Sequence, residues 1–436
     1  RDRSPSRGLG DVYKRQATDY AQAGNWEDAL AVVNAALTNI SAPSTMLLYY
    51  KAWFLCRMNQ QDEAVCVVSQ AENSPLDEYF PNSLEAILAL QCVTNLPIHA
   101  PKAFYLLGNI WYDKRQYQEA VDAWEHSKEM DNGFPTVLRN LSLAYFNKLG
   151  KKKEAVQLLE QAFMLDETDA RILMELDQLY KRMDYSPKER LHLLNKHKEI
   201  IATRDDLYLE YATLLNLTGE YEQAMQLIDQ RQFHPWEGGE GKVPAQYQYA
   251  RIQLAKKSLK AGEYEHALAL IEECFVYPHH LGEGKLYGAQ ENDFLYYKGC
   301  ILEAMGNHDE AHSSFTKAAS GNGQPTAAMY YNDQKPDKIY YQGLALRKVG
   351  KEAEARGRFN SLISYGEKHL YDTFVMDYFA VSLPDLQIWE DDMNKKNRIH
   401  CHYLMGLGHL GLGNKEKADK CFSYIKEINP NFQIWI

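Results

Sequence analysis

The sequence predicts an all-α chain, an α-solenoid of antiparallel helix hairpins, and three observations predict it. The first is a recurring foursome, small–large–Ala–large, at offsets 0, 3, 12 and 16: Gly299, Leu302, Ala311, Phe315; Gly343, Leu346, Ala355, Phe359; Gly406, His409, Ala418, Phe422; and Gly108, Trp111, Ala120, Trp124. The second is a Gly-polar step inside each repeat, at Gly219-Glu220, Gly262-Glu263, Gly306-Asn307, Gly350-Lys351 and Gly413-Asn414, where glycine supplies the positive φ that ends a helix. The third is that no segment alternates convincingly as a strand does.

Each repeat follows the same logic. The small residue of the first helix lets the second approach, the Ala of the second helix does the same in return, and the large residues fill the seam. The first repeat holds Trp26, Ala29, Val33 and Ala36, turning at Gly24-Asn25. The second holds Ala52, Leu55, Ala64, Val68 and Ala71. A third begins near Pro101 and a fourth near Pro135, where Lys151–Lys153 add a residue and move the Ala to Ala155. The fifth, with Leu176, Asp177 and Tyr180, is degenerate. The sixth holds Ala212, Leu215 and Ala224, and the seventh Ala255, Tyr264 and Ala267. With the last three, about ten repeats of about 34 residues occupy residues 17–436.

The period breaks near 76–100, 232–245, 275–291, 321–336 and 366–398. In the first break Ser83 to Cys92 reads as an extra helix; in the last, Tyr371, Phe374, Val375, Tyr378 and Phe379 have helical spacing and Pro384 stops them. Residues 1–16 are rich in Arg, Ser and Gly, show no helical period and resemble translated adapter sequence. They are expected to be a non-native or disordered leader, with native sequence missing upstream.

Of 436 residues 45% are hydrophobic, enough for an extensive core, and the formal charge of −11 with no long basic stripe argues against a nucleic-acid partner. Seven scattered cysteines read as small, reduced, apolar residues. With no export signal in view they favour the cytoplasm. No apolar run long enough for a membrane span appears. No metal, cofactor or catalytic set is expected: His400, Cys401 and His402 lie on different sides of a helix.

Two insertions resemble each other: His234-Pro235-Trp236-Glu237-Gly238-Gly239-Glu240-Gly241-Lys242 and Tyr277-Pro278-His279-His280-Leu281-Gly282-Glu283-Gly284-Lys285. Pro235 and Pro278 are 43 residues apart, as are Lys242 and Lys285, so both loops should lie side by side on one edge of the array. The Gly-Glu-Gly-Lys string is no phosphate loop: no strand precedes it, and Val243 follows Lys242 where Ser or Thr is needed. Either the loops are tight packed turns with solvated Glu and Lys, or His234, Trp236, Glu240, Lys242, Tyr277, His279, Glu283 and Lys285 form a ligand rim.

The spacing is that of the tetratricopeptide repeat, which implies a right-handed superhelix. Residues 234–242, 281–293, 328–350, 381–386 and 398–413 resemble, more narrowly, the C-terminal repeat region of large uncharacterised bacterial proteins. In those an N-terminal domain of unknown function, similar to carbohydrate-active β-sandwich modules, precedes the repeats. The tetratricopeptide resemblance implies a concave groove lined here by Tyr105, Asn109, Tyr112, Tyr249, Lys256, Asp293, Tyr296, Tyr340, Arg347 and Tyr403. Asn109, Asn140 and Arg171 match a known carboxylate clamp, but Tyr105 and Glu175 stand where that clamp needs cations. The expectation is a non-catalytic protein-interaction scaffold binding a protein, a peptide or its own N-terminal domain. The alternative is a glycan-binding accessory region of a glycan-processing enzyme.

Overall fold

The computed structural model describes residues 5–39, 44–76, 80–327, 333–373 and 388–436, with side chains from residue 12. Among them are 22 α-helices, one 3-10 turn and no strand. The chain divides into two compact units, 1–167 and 168–436, where the sequence suggested one continuous array.

The first unit holds α1 (Pro5–Gln22), α2 (Trp26–Asn39), α3 (Thr45–Arg57), α4 (Gln61–Asn73), α5 (Leu84–Thr94), α6 (Pro101–Asp113), α7 (Tyr117–Met130), α8 (Pro135–Asn147) and α9 (Lys152–Leu165). The second begins with α10 (Ala170–Arg182), α11 (Pro187–Asn195), α12 (Lys198–Ile201), α13 (Asp205–Thr218), α14 (Tyr221–Asp229), α15 (Lys242–Ala261) and α16 (Tyr264–Glu273). It continues through α17 (Asn292–Ala304), α18 (His308–Ala318), α19 (Pro336–Lys348), α20 (Glu352–His369), α21 (Met393–Gly411) and α22 (Lys415–Ile428). Paired in order, with α5 and α12 left over, the described helices form ten successive pairs.

The recurring foursome works as its chemistry suggests. A Cβ added to Gly299 would stand 2.5 Å from the Phe315 ring, and one on Gly406 2.7 Å from Phe422; at Gly108 and Gly343 it would collide with Trp124 and Phe359. The hairpin turns also behave as read. Gly219 caps α13 at φ 89°, and the following N–H of Glu220 reaches back to the Leu215 carbonyl at 2.9 Å.

The extra helix of the first break is present as α5. The Ser83 hydroxyl caps it by accepting from the Ala86 N–H at 3.2 Å. Two expectations are corrected. Residues 5–16 are not irregular: they lie within α1. The break at 366–398 is narrower than read, since α20 runs to His369 and α21 starts at Met393. Tyr371 lies exposed beyond α20, while Phe374, Val375, Tyr378, Phe379 and Pro384 lie outside the described residues.

The degenerate fifth repeat has a physical cause. Asp177 occupies the small-residue position of α10, and Arg190 of α11 reaches it with two bonds, Nε to Oδ1 at 3.0 Å and Nη2 to Oδ2 at 2.5 Å. Both side chains are fully buried. Arg190 also donates to Glu210 of α13 at 2.6 Å. Burial opposes charge on Glu210, but Lys181 and Arg190 outweigh it and hold its carboxyl well below the usual range. A buried ion cluster thus replaces the Gly–aromatic contact of the regular repeats.

Within the second unit the last elements return to the first. The Trp389 indole N–H donates to the Glu175 carbonyl of α10 at 2.9 Å, Lys395 pairs with Asp184 at 2.6 Å, and Arg182 with Asp391 at 3.1 Å.

Candidate functional site

After α22 the chain turns at Asn429–Phe432, where the Phe432 N–H bonds the Asn429 carbonyl at 3.1 Å. It then runs without helix to Ile436. This tail lies against side chains of α11, α15, α19 and α21. Three tyrosine hydroxyls address its main chain. Tyr249 donates to the Ile434 carbonyl and Tyr341 to the Trp435 carbonyl, while Tyr403 accepts from the Trp435 N–H, each at 3.2 Å.

Side chains of the tail alternate in role, as in extended backbone. Asn431 accepts from Arg190 Nη1 at 2.8 Å and donates to the Tyr185 carbonyl at 2.9 Å. Gln433 and Gln246 exchange amide bonds at 2.9 and 3.2 Å. Trp435 meets Tyr249 edge-on, centroids 4.9 Å apart, with the Lys338 ammonium 5.7 Å from its ring. Between them, Phe432, Ile434 and Ile436 pack on the apolar cluster that includes Tyr341, Phe359, Tyr403 and Leu407.

Beside Gln433 and Trp435 lies a cavity of about 480 Å³. Gln246, Gln248, Tyr277, Glu283, Lys335 and Asp337 contribute to its walls. The second insertion forms part of its wall. The two insertions do lie side by side. The Phe233 N–H bonds the His280 carbonyl at 2.8 Å, and the Gly241 N–H bonds Glu283 Oε2 at 2.8 Å. Burial raises the Glu283 carboxyl above its ordinary range, against the Gly241 bond. The Gly241 amide, which a phosphate would need, is therefore spent on a carboxylate.

The proposed rim is divided by this packing. His234, Trp236, Glu240 and Glu283 share a shallow cleft of about 270 Å³. The Trp236 ring covers Gly239, where a Cβ would collide with it, so that face is not open for stacking. His234 is tied to Asp205 at 3.0 Å. His279 is exposed, and its carbonyl meets Gln232 Nε2 at 3.5 Å. Lys242 is exposed at the start of α15. Lys285 is exposed, donates to the Phe275 carbonyl at 2.8 Å and pairs with Glu291.

Of the groove candidates, Tyr249 and Tyr403 do face the tail. Tyr340 does not: it packs on Phe359, centroids 6.0 Å apart, and its neighbour Tyr341 takes the inner position. Tyr296 is similarly spent on Phe315 at 5.8 Å. Arg347 pairs with Glu352 at 2.9 Å and donates to the Gly411 carbonyl at 3.0 Å. In the first unit Tyr105 is buried against Phe134, centroids 4.8 Å apart. Asn109 accepts from Asn140 at 3.0 Å and from Trp124 at 3.2 Å, and Tyr112 packs between Tyr117 and Trp124. Arg171, in the second unit, pairs with Glu175 at 3.0 Å.

Beneath Trp435 sits a charged cluster. Fully buried Asp293 lies 2.5 Å from Lys338 Nζ, and Asp337 3.8 Å from it. Lys256 Nζ has no hydrogen-bond partner among the described residues and lies 4.9 Å from the Tyr297 ring centroid. Burial, against the pull of Asp293 and Asp337, lowers the Lys256 ammonium to about 8. A lysine lowered on folding destabilises while charged and is relieved as pH climbs from the folded to the unfolded value. Between pH 7.5 and 9.5, urea unfolding should show the wild-type chain gaining about 1–2 kcal/mol relative to Lys256→Met; parallel pH profiles would refute this.

The residues that matter most and escaped sequence reading are Gln246, Lys338, Tyr341, Arg190 and the tail itself. A signal existed: Asn431-Phe432-Gln433-Ile434-Trp435-Ile436 alternates polar or aromatic with apolar residues directly after the last repeat.

Among the described residues no group of three His, Cys, Asp or Glu is disposed to hold a metal ion, and no helix is long and apolar enough to cross a membrane. All seven cysteines are free; Cys274 and Cys401 are buried as expected, but Cys66 is exposed.

Residues 137–169, which span most of α8 and all of α9, match a model of the tetratricopeptide repeat. Among solved structures, the chain is similar to YrrB, described as a tetratricopeptide-repeat protein with an unusual peptide-binding site. Identity is 13%, over 52% of this chain and 98% of that one, with a TM-score of 0.32. A tetratricopeptide-repeat protein from Parabacteroides merdae is 16% identical over 69% and 98%, TM-score 0.30. MamA is 14% identical over 43% and 92%, TM-score 0.26. At these scores no site is transferred from any of them.

Proposed function

We propose that this chain is a non-catalytic protein-interaction scaffold whose second unit holds an extended polypeptide segment. One observation carries the reading: residues 432–436 already lie on helices α15, α19 and α21, with their main chain bonded by three tyrosine hydroxyls. Main-chain recognition of this kind accepts many sequences, while side pockets select among them. The partner is a protein segment, from another chain or from a domain preceding residue 17 in the same polypeptide. A glycan platform at Trp236 would have only part of the ring to use, since one side lies over Gly239.

The test uses the full chain with a protease site inserted after Ile428, so that cleavage leaves the tail bound only non-covalently. A random peptide library displayed against the cleaved chain should yield saturable binders. Replacing Tyr249, Tyr341 and Tyr403 together with Phe should weaken them about 10- to 1000-fold, since each lost hydrogen bond is worth about 0.5–1.5 kcal/mol. Failure to enrich any binder on a chain that keeps its helical signal, or binders indifferent to the three tyrosines, would remove the reading.

A further inference from the structure

Resting on that reading, we infer that the tail is an in-chain copy of the ligand: the site selects an extended segment with Asn, Gln and Trp at every second position and apolar residues between, and residues 429–436 occupy it in competition with such a segment from a partner.

The argument is one of pairing. An amide that both gives and takes is read by an amide that does the same, and Gln246 does this to Gln433 through two bonds. Gln246 is itself oriented, because Asn216 donates to its Oε1 at 3.0 Å. Asn431 is read as an acceptor by Arg190 and as a donor by the Tyr185 carbonyl. Trp435 meets Tyr249 edge-on, with the Lys338 ammonium 5.7 Å from its ring centroid, an arrangement that rewards an electron-rich ring. A residue lacking these groups would leave buried partners unsatisfied, which is how polar sites reject analogues.

The tail does not exhaust the site. The cavity of about 480 Å³ beside Gln433 and Trp435 is left open, and a partner segment with larger groups at those positions has room there. Tethering gives the tail an effective concentration on the order of millimolar. A free segment of equal intrinsic affinity is then handicapped by the ratio of that concentration to its dissociation constant. Exchange therefore favours either a better-filling segment or one delivered by its own tether.

The experiment measures a fluorescent peptide of residues 429–436 by anisotropy against the intact chain and against the cleaved chain after its tail is washed out. One-to-one binding to the cleaved chain, at least 10-fold tighter than to the intact chain, is expected. Peptides with Asn431→Ala, Gln433→Ala or Trp435→Ala should each bind at least 5-fold more weakly, and Ile434→Val within 2-fold. Equal binding to intact and cleaved chains, or equal binding of a scrambled peptide, overturns the inference. If the washed chain loses its helical signal, the intact Gln433→Lys chain serves instead: its loosened tail should admit the wild-type peptide at least 5-fold more tightly, and no gain overturns the inference. Library binders that need the tyrosines but ignore this pattern would leave the scaffold reading standing and remove only the motif.

Discussion

Arg190→Met should lower the unfolding free energy of the second unit by about 3–5 kcal/mol, the range for breaking a buried ion pair from one side. The loss comes less from the missing bonds than from what they leave behind. Asp177, fully buried, would face Glu210 with Lys181 as the nearer cation, 3.0 Å from Glu210. Urea unfolding with Asn431→Ala as control separates the parts, because that variant removes the tail's bonds to Arg190 and to the Tyr185 carbonyl but leaves the Arg190–Asp177–Glu210 pairs in place, and should cost about 1.5–3 kcal/mol. Replacing Asp177, Arg190 and Glu210 together with apolar residues of similar volume should recover most of the deficit. A single Arg190→Met variant as stable as wild type would mean the cluster does not hold the fifth hairpin.

Phe359→Ala should cost about 3–5 kcal/mol, and Gly343→Ala about 1–3 kcal/mol, although alanine is the better helix former by about 0.5–1 kcal/mol. Phe359 is fully buried, and added Cβ atoms at Gly343 and at Gly411 would both collide with its ring. One aromatic therefore seals α19 to α20 and α20 to α21. Because the two residues touch, their effects should not add: in a Phe359→Leu background Gly343→Ala should cost less, by at least about 0.5 kcal/mol. Additive costs in that cycle would show that the Gly–aromatic contact is not what spaces the hairpin.

The same pair explains what could be read in advance. Gly343 and Phe359 are sixteen residues apart, so the contact that defines a hairpin is local and leaves a periodic trace. The capping glycines are legible for the same reason. The site is built otherwise. Arg190 and Asn431 are 241 residues apart, and Gln246 and Gln433 are 187 apart, and no period links such partners. Tyr340 and Tyr341 show a finer limit. Neighbours on a helix differ by about 100° in direction, so one step of register decides whether a tyrosine meets the Phe359 core or the Trp435 carbonyl. As an aromatic in an inserted loop, Trp236 reads as part of a ligand rim, yet one side of its ring lies over Gly239.

The return of Trp389, Lys395 and Asn431 to α10, to the turn at Asp184–Tyr185 and to α11 has a kinetic meaning. In an open array each repeat leans only on its neighbours, so the ends fray and folding spreads from any point. Here the last hairpin of the second unit and the first are each other's boundary. Opening either one forfeits the Trp389, Lys395 and Arg190 contacts at once. Its terminal hairpins should therefore exchange amide hydrogens nearly as slowly as its central ones. Its refolding should wait on closing a loop of more than two hundred residues, a step whose cost belongs to topology and not to any single repeat.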